Sequence, residues 1–186
     1  MKIIGIDPGS VVTGVGVIEA SNGHFKVLNY DAIKMSSKTP MPERLKSIYD
    51  FCLKKIKLYK PEQLAIETAF FGKNIQSTMK LGQVRGAVMV ASLNSGVDVF
   101  EYSPREIKKS VTGNGSSNKQ TVETYIKNIL SLKVNRMLND SSDALAIALC
   151  HHYNSENKTS YKPNRKKSNW KDFLEKNPDK IYRRKS

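Results

Sequence analysis

Four acidic residues stand where a carboxylate can do more than face water. Asp7 lies in Asp7-Pro8-Gly9-Ser10 and Glu67 follows the apolar run Leu64-Ala65-Ile66, while Asp140 and Asp143, three apart, precede an apolar stretch at 144–149. Each has a plain structural explanation. Asp followed by Pro opens type I turns, and an acid at a strand's exit marks where the chain meets solvent. Asp-x-x-Asp before a helix is a cap with a second acid that the helix dipole favours. Together they say more. If the strands ending at Asp7 and Glu67 are neighbours, and the helix opened by Asp140 packs over them, four carboxylates converge. They repel one another unless a cation lies among them, and oxygen-only donors suit Mg²⁺ or Mn²⁺. Two such ions about 3.5–4 Å apart activate a water and stabilise the leaving oxygen in phosphodiester hydrolysis. Cys150-His151-His152 offers other ligands, but consecutive helix residues point in different directions, so it carries little weight.

Positioning these acids requires a particular order of elements. Residues 2–7 read as a strand that breaks at Asp7-Pro8-Gly9, and residues 11–18 as a second strand whose glycines permit close backbone approach. Residues 25–34 form a third, after the Asn22-Gly23 turn signal. Three strands in succession predict an antiparallel meander. The period then changes: Leu45, Ile48, Cys52 and Ile56 keep helical spacing from Pro42 to about Lys60. Residues 64–67 make a short buried strand, 74–94 a long helix and 97–102 a fifth strand, with Pro104 in the first turn of another helix. Ser117-x-x-Gln120 has the capping-box pattern and opens a helix carrying Val122, Tyr125, Ile126 and Ile129. A last helix runs from about Asp140. The sum is an α/β protein, a five-stranded mixed sheet flanked by helices.

The charge points to a polyanion. With 31 Lys and Arg against 17 Asp and Glu, the 186 residues carry a formal net charge of +14, which attracts nucleic acid. Residues 151–186 hold 11 of those basic side chains and four of the acids, so the last fifth of the chain carries half the surplus. This divides the chain into a folded domain over 1–153 and a basic extension over 154–186, poor in aliphatics and rich in Asn, Ser and Lys. Trp170, Phe173 and Leu174 are spaced to form one short amphipathic turn there. The extension reads equally well as a solvated tail and as an arm for nucleic acid or a partner. No apolar run is long enough to cross a bilayer, and the N-terminus lacks the pattern of a secretory signal. Cys52 and Cys150 cannot form a disulfide framework. A reduced, cytoplasmic protein is expected.

Five blocks, in order, carry a resemblance. Gly5-Ile6-Asp7-Pro8-Gly9-Ser10 with Thr13-Gly14, then Ala65-Ile66-Glu67, then Lys73-Asn74, then Lys80-Leu81-Gly82-Gln83 with Arg85-Gly86, and finally Asp140-x-x-Asp143-Ala144-Leu145-Ala146-Ile147-Ala148 resemble the RuvC crossover junction endodeoxyribonucleases over residues 1 to about 152. The resemblance implies a ribonuclease H-like fold, a homodimer, and magnesium-dependent resolution of four-way Holliday junctions by two symmetric nicks, in association with RuvA and RuvB. It puts Asp7, Glu67, Asp140 and Asp143 on the family's catalytic carboxylates, with two Mg²⁺ per subunit and Mn²⁺ as a substitute. Phe70 falls on the family's junction-centre aromatic, where a ring can stack on an unpaired base, with Phe71 beside it. Lys108 and Lys119 match basic positions near the scissile phosphate. Lys73, Lys80 and Arg85 join them as expected DNA contacts.

Other readings are open from the residues alone. Phe70 and Phe71 could pack in a core, and each lysine could be one of many solvated ones. Gly113-x-Gly115 either cradles a phosphate or joins two helices. Gly82 and Gly86, four apart on the long helix, suit a dimer seam or close packing on the protein's own sheet. An actin-like ATPase or sugar kinase shares an Asp-x-Gly turn but needs a second lobe, for which 186 residues leave no room. A non-catalytic DNA-binding module, with its acids as caps and turns, is the other rival.

Overall fold

Strand β1 (Lys2–Asp7) is apolar on both faces because both faces are covered. Ile3 points into one core cluster while Ile4 and Ile6 point into the other, and all three are fully buried. The computed structural model describes residues 1–21, 23–68, 74–132 and 139–155. Around β1 lie β2 (Val12–Ser21) and β3 (His24–Lys34), antiparallel as the meander predicts, and β4 (Gln63–Glu67) and β5 (Asp98–Tyr102), both parallel to β1. The sheet order is β3-β2-β1-β4-β5. Gly23, which follows the undescribed Asn22, takes a positive φ of 78° as the hairpin turn requires.

One face of the sheet packs on α1 (Met41–Tyr59) and α2 (Ile75–Asn94). The other receives α3 (Pro104–Thr112), α4 (Lys119–Ile129) and α5 (Asn139–Asn154). Residues 144–151 of α5 are all buried, which explains a stretch that is apolar all round. This helix lies against β1 and β2 because glycines leave room for it. A Cβ on Gly14 would collide with the Asp140 carbonyl, one on Gly5 with the Ala144 carbonyl, and one on Gly16 with Leu145. The close approach expected of the β2 glycines is therefore made by α5.

One sequence expectation needs correction, and one open alternative is decided. The cap of α4 is Asn118, whose side chain accepts the Thr121 N–H at 2.8 Å. Ser117 bonds instead to Thr112 Oγ1 and to the Asn114 carbonyl, because the turn after α3 claims its hydroxyl. The reciprocal capping box opens α3, where Ser103 and Glu106 each bond the other's backbone N–H. Gly82 and Gly86 do not pack on the sheet, since a Cβ on either would meet nothing within 4 Å. They lie on the outward face of α2.

Candidate active site

Strand alternation places the first two acids. Gly5 faces α5, so Asp7 two residues on shares that face. On β4, Ala65 packs in the α5 cluster and Glu67 follows it by the same rule. The parallel register pairs Ile6 with Ile66, which sets Asp7 and Glu67 side by side where the two strands end. Across β1, Asp7 pairs with Gly14, and on Gly14 rests the Asp140 backbone. Asp143 comes one turn later on α5. Gly14 thus seats the first turn of α5 beside Asp7. All four sequence-predicted carboxylates reach the same end of the sheet.

Their electrostatics show mutual repulsion. Burial raises Asp7 from the ordinary carboxyl value of 3.8 to about 7, with Asp143, Glu67 and Asp140 adding to it and Lys119 opposing. Burial also raises Glu67, again with help from Asp143, while Lys108 and Lys119 pull it down. Lys119 bonds Asp143 Oδ2 through Nζ at 2.7 Å. Burial lowers the Lys119 pKa, but that bond and the charges of Asp143, Asp140 and Asp7 outweigh it, so Lys119 is raised overall. The acids are grouped loosely: among the described residues, no three His, Cys, Asp or Glu side chains stand close enough to ligate one ion. The donor set is oxygen-only and under-neutralised, which fits a hard divalent cation drawing the carboxylates together.

Glu67 divides two clefts. A pocket of about 210 Å³ is lined by Glu67, Asp143, Lys108 and Lys119 with Ile107 and Val122. A second, of about 260 Å³, has Asp7, Pro8, Glu67, Thr68 and Arg85 in its wall. Lys108 and Lys119 therefore share one cleft wall with Glu67 and Asp143. Arg85 lines the second cleft but spends one guanidinium nitrogen on Glu101, 2.9 Å away. Lys80 is exposed on α2. Phe70, Phe71 and Lys73 lie outside the described residues. Gly113 ends α3 with a positive φ of 78° and Gly115 packs on Arg105, so this pair joins two helices.

Sequence reasoning missed two polar groups, one behind the loop that leaves Asp7 and one at the far end of α5. Arg44, on the first turn of α1, is 6% exposed and donates Nη1–H to the Ser10 carbonyl. Its signal was spacing: Arg44, Ile48, Cys52 and Ile56 recur every four residues, which puts a charge on the inward stripe. His151, dismissed as a ligand, is fully buried and bonds Tyr102 through Nδ1 at 2.8 Å and Gln63 through Nε2 at 2.7 Å.

The sheet order, with acids at the C-terminal ends of two parallel neighbours and on a helix laid across them, defines a ribonuclease H-like fold. The family model described as crossover junction endodeoxyribonuclease RuvC matches residues 3–151. A relative of that name from Chloroherpeton thalassium is 46% identical, covering 98% of this chain and all of its own. One from Salinibacter ruber is 39% identical, covering 97% and 99%. The solved structure of Thermus thermophilus RuvC in complex with Holliday junction substrate is 31% identical. It superposes with a TM-score of 0.78 over 86% of this chain and 98% of that one. The chain belongs to the RuvC family of crossover junction endodeoxyribonucleases. Similarity to the Chloroherpeton relative extends past residue 151 into the basic extension.

Proposed function

We propose that this protein is a metal-dependent endodeoxyribonuclease that resolves four-way DNA junctions by paired symmetric nicks, leaving 5′-phosphate and 3′-hydroxyl ends. The observation that carries the reading is the convergence of Asp7, Glu67, Asp140 and Asp143, with Asp7 held near 7 by burial and by its acidic neighbours. These four would hold two divalent cations, Mg²⁺ with Mn²⁺ as a substitute, which when bound would activate a water and neutralise the leaving oxygen. Lys119 and Lys108 steady the phosphate beside them, and Lys73, Lys80, Arg85, Phe70 and Phe71 extend the DNA contact. The likeness to a RuvC solved with a Holliday junction supports the substrate. Association with RuvA and RuvB rests on the family resemblance.

A homodimer presents two such sites to opposed strands. Its support is the outward face of α2, where Ile75, Met79, Gly82, Gly86, Val90 and Leu93 recur at spacings of three and four. Ile75 is 75% exposed, Met79 63% and Val90 50%, while the glycines between Met79 and Val90 stand open. A bare apolar stripe with a flat middle suits the same helix of a second copy. Sedimentation of Met79→Glu tests this: the expected product is a monomer, and an unchanged dimer removes α2 from the seam.

The deciding experiment sets wild type and Asp7→Asn on a labelled four-way junction, with linear duplex and EDTA as controls. Wild type with metal should give paired nicks in the junction and leave duplex intact, while Asp7→Asn binds without cutting. Cutting by Asp7→Asn overturns the site, and equal cutting of duplex overturns the substrate. Junction binding with no cutting in Mg²⁺ or Mn²⁺ would return the non-catalytic reading.

A further inference from the structure

The loop that leaves Asp7 is held at three consecutive carbonyls by three elements. Thr13 of β2, fully buried, donates its hydroxyl to the Gly9 carbonyl at 2.7 Å. Arg44 of α1 donates Nη1–H to the Ser10 carbonyl at 2.9 Å, and the Met35 N–H, just past β3, donates to the Val11 carbonyl at 2.8 Å. A hydroxyl and a main-chain amide are ordinary donors in such a place. A guanidinium is not. Arg44 is 6% exposed, has no carboxylate within ion-pairing distance among the described residues, and keeps Nε buried without a partner.

Burying a charge without a counter-ion is costly. An aliphatic side chain would serve better at this position on the inward stripe of α1 if packing were the only need. What the guanidinium adds is reach and a donor, delivered to the loop from the sheet face opposite α5. Arg44 bonds the Ser10 carbonyl and no carboxylate among the described residues, so the contact it makes with this loop is with the backbone. That backbone needs holding. Asp7 is the last residue of its strand, stands beside three other acids, and runs directly into the loop at 8–11, so the position of that loop sets where its carboxylate lies.

We propose that Arg44 is a positioning residue for the carboxylate cluster: by fixing the Ser10 carbonyl it keeps Asp7 turned toward Glu67 and the first turn of α5. The inference rests on the endonuclease reading and names what maintains its geometry. Such control is worth having, since a misplacement of about 1 Å can cost roughly a hundredfold in rate.

The test compares wild type, Arg44→Met and Arg44→Lys as full chains. It reads Mn²⁺ binding to the DNA-free protein by calorimetry, kcat and KM on a four-way junction, and the thermal midpoint. Arg44→Met should bind Mn²⁺ about tenfold more weakly and lose roughly ten- to a hundredfold in kcat, with KM within about twofold. Its thermal midpoint should be no lower than wild type, because a buried charge has gone. Arg44→Lys, with the charge and a shorter donor, should recover part of both losses. Unchanged Mn²⁺ affinity and kcat in a folded Arg44→Met overturns the proposal. So do losses that follow a lowered midpoint and vanish on cooling, which would mark a merely structural role. If Arg44→Met does not fold, Arg44→Lys decides: Mn²⁺ affinity equal to wild type overturns the proposal, and a partial loss with intact junction binding supports it. A wild type that binds Mn²⁺ but leaves junctions uncut defeats the endonuclease reading alone, since the Mn²⁺ comparison still judges Arg44.

Discussion

Helix α5 carries a polar cluster near each end, and the two are built on opposite terms. Toward its C-terminus, His151 is sealed in the core with one ring nitrogen on Tyr102 and the other on Gln63. That bond to β4 and the one to β5 fix the helix against the sheet. Toward its N-terminus, Asp140 and Asp143 join Asp7 and Glu67, where burial and like charge raise Asp7 to about 7 and raise Glu67 as well. A satisfied cluster stabilises the fold. The frustrated one is held in place by the rest of the molecule, and strain of that kind gathers at functional sites.

The largest separation between the two clusters should come from Asp7→Asn. Junction cleavage should fall by at least about a thousandfold, because on the proposed function a ligand for the cation would be lost, while the protein itself becomes more stable. The sign follows from the shift. A folded-state pKa raised above the unfolded 3.8 means the folded chain binds the proton more tightly, so stability declines as pH rises from about 4 to about 7. The full penalty, present above pH 7 in metal-free protein, is roughly 4 kcal/mol at most. In EDTA at pH 8 the thermal midpoint of Asp7→Asn should lie several degrees above wild type, with the gap closing toward pH 4. A midpoint below wild type at pH 8 would show that the cluster is not frustrated.

Lys119 comes next, because it is the cation the acidic cluster already holds. Lys119→Met removes the bond to Asp143 and should lower kcat roughly ten- to a hundredfold while metal binding survives. Asp7 should rise further once an opposing positive charge has gone, so half-maximal Mn²⁺ binding should move to higher pH. Calorimetry across pH 6–8 reads the shift. Movement to lower pH would mean that Lys119 does not act on Asp7.

At the satisfied cluster the expected effects reverse. His151→Phe keeps the ring but removes two hydrogen bonds from a buried site, at a cost of about 2–3 kcal/mol. Chemical denaturation should show that loss, while kcat per folded molecule at low temperature stays within about threefold of wild type. A large fall in kcat without a fall in stability would make the two ends of α5 a single functional unit.

The difference between the clusters also explains what the sequence made legible. Asp7 and Glu67 could be placed because each ends an apolar strand, and Asp140 and Asp143 because they fall just before the apolar stretch of α5; regular runs reveal their ends. Strand alternation and the Gly14 and Gly16 spacing then forecast the approach of another backbone to β2. Arg44 and the Tyr102–His151–Gln63 group escaped notice because their partners are 34 and up to 88 residues away, a separation that no local period records. The misplaced cap of α4 had the opposite cause. Local pattern favoured Ser117, but the turn after α3 had already engaged its hydroxyl, and Asn118 took the role.

That cap supplies the smallest and most discriminating test. Asn118 accepts the Thr121 N–H at 2.8 Å and the Thr121 hydroxyl at 3.0 Å, and the next residue is Lys119. Asn118→Ala should destabilise by about 1 kcal/mol, a change the global fold absorbs easily. Its local consequence is sharper, because fraying of the first turn of α4 loosens the ammonium that faces Asp143. Cleavage should drop a fewfold with junction affinity unchanged, and Asn118→Asp, which caps equally well, should restore it. Ser117→Ala leaves the cap intact and should leave cleavage near wild type, although it removes the Ser117 hydroxyl from the turn after α3. If the two alanine variants lose cleavage equally, the connecting turn rather than the cap positions Lys119. The charge that tempers the acidic cluster would then depend on α3 as well as α4.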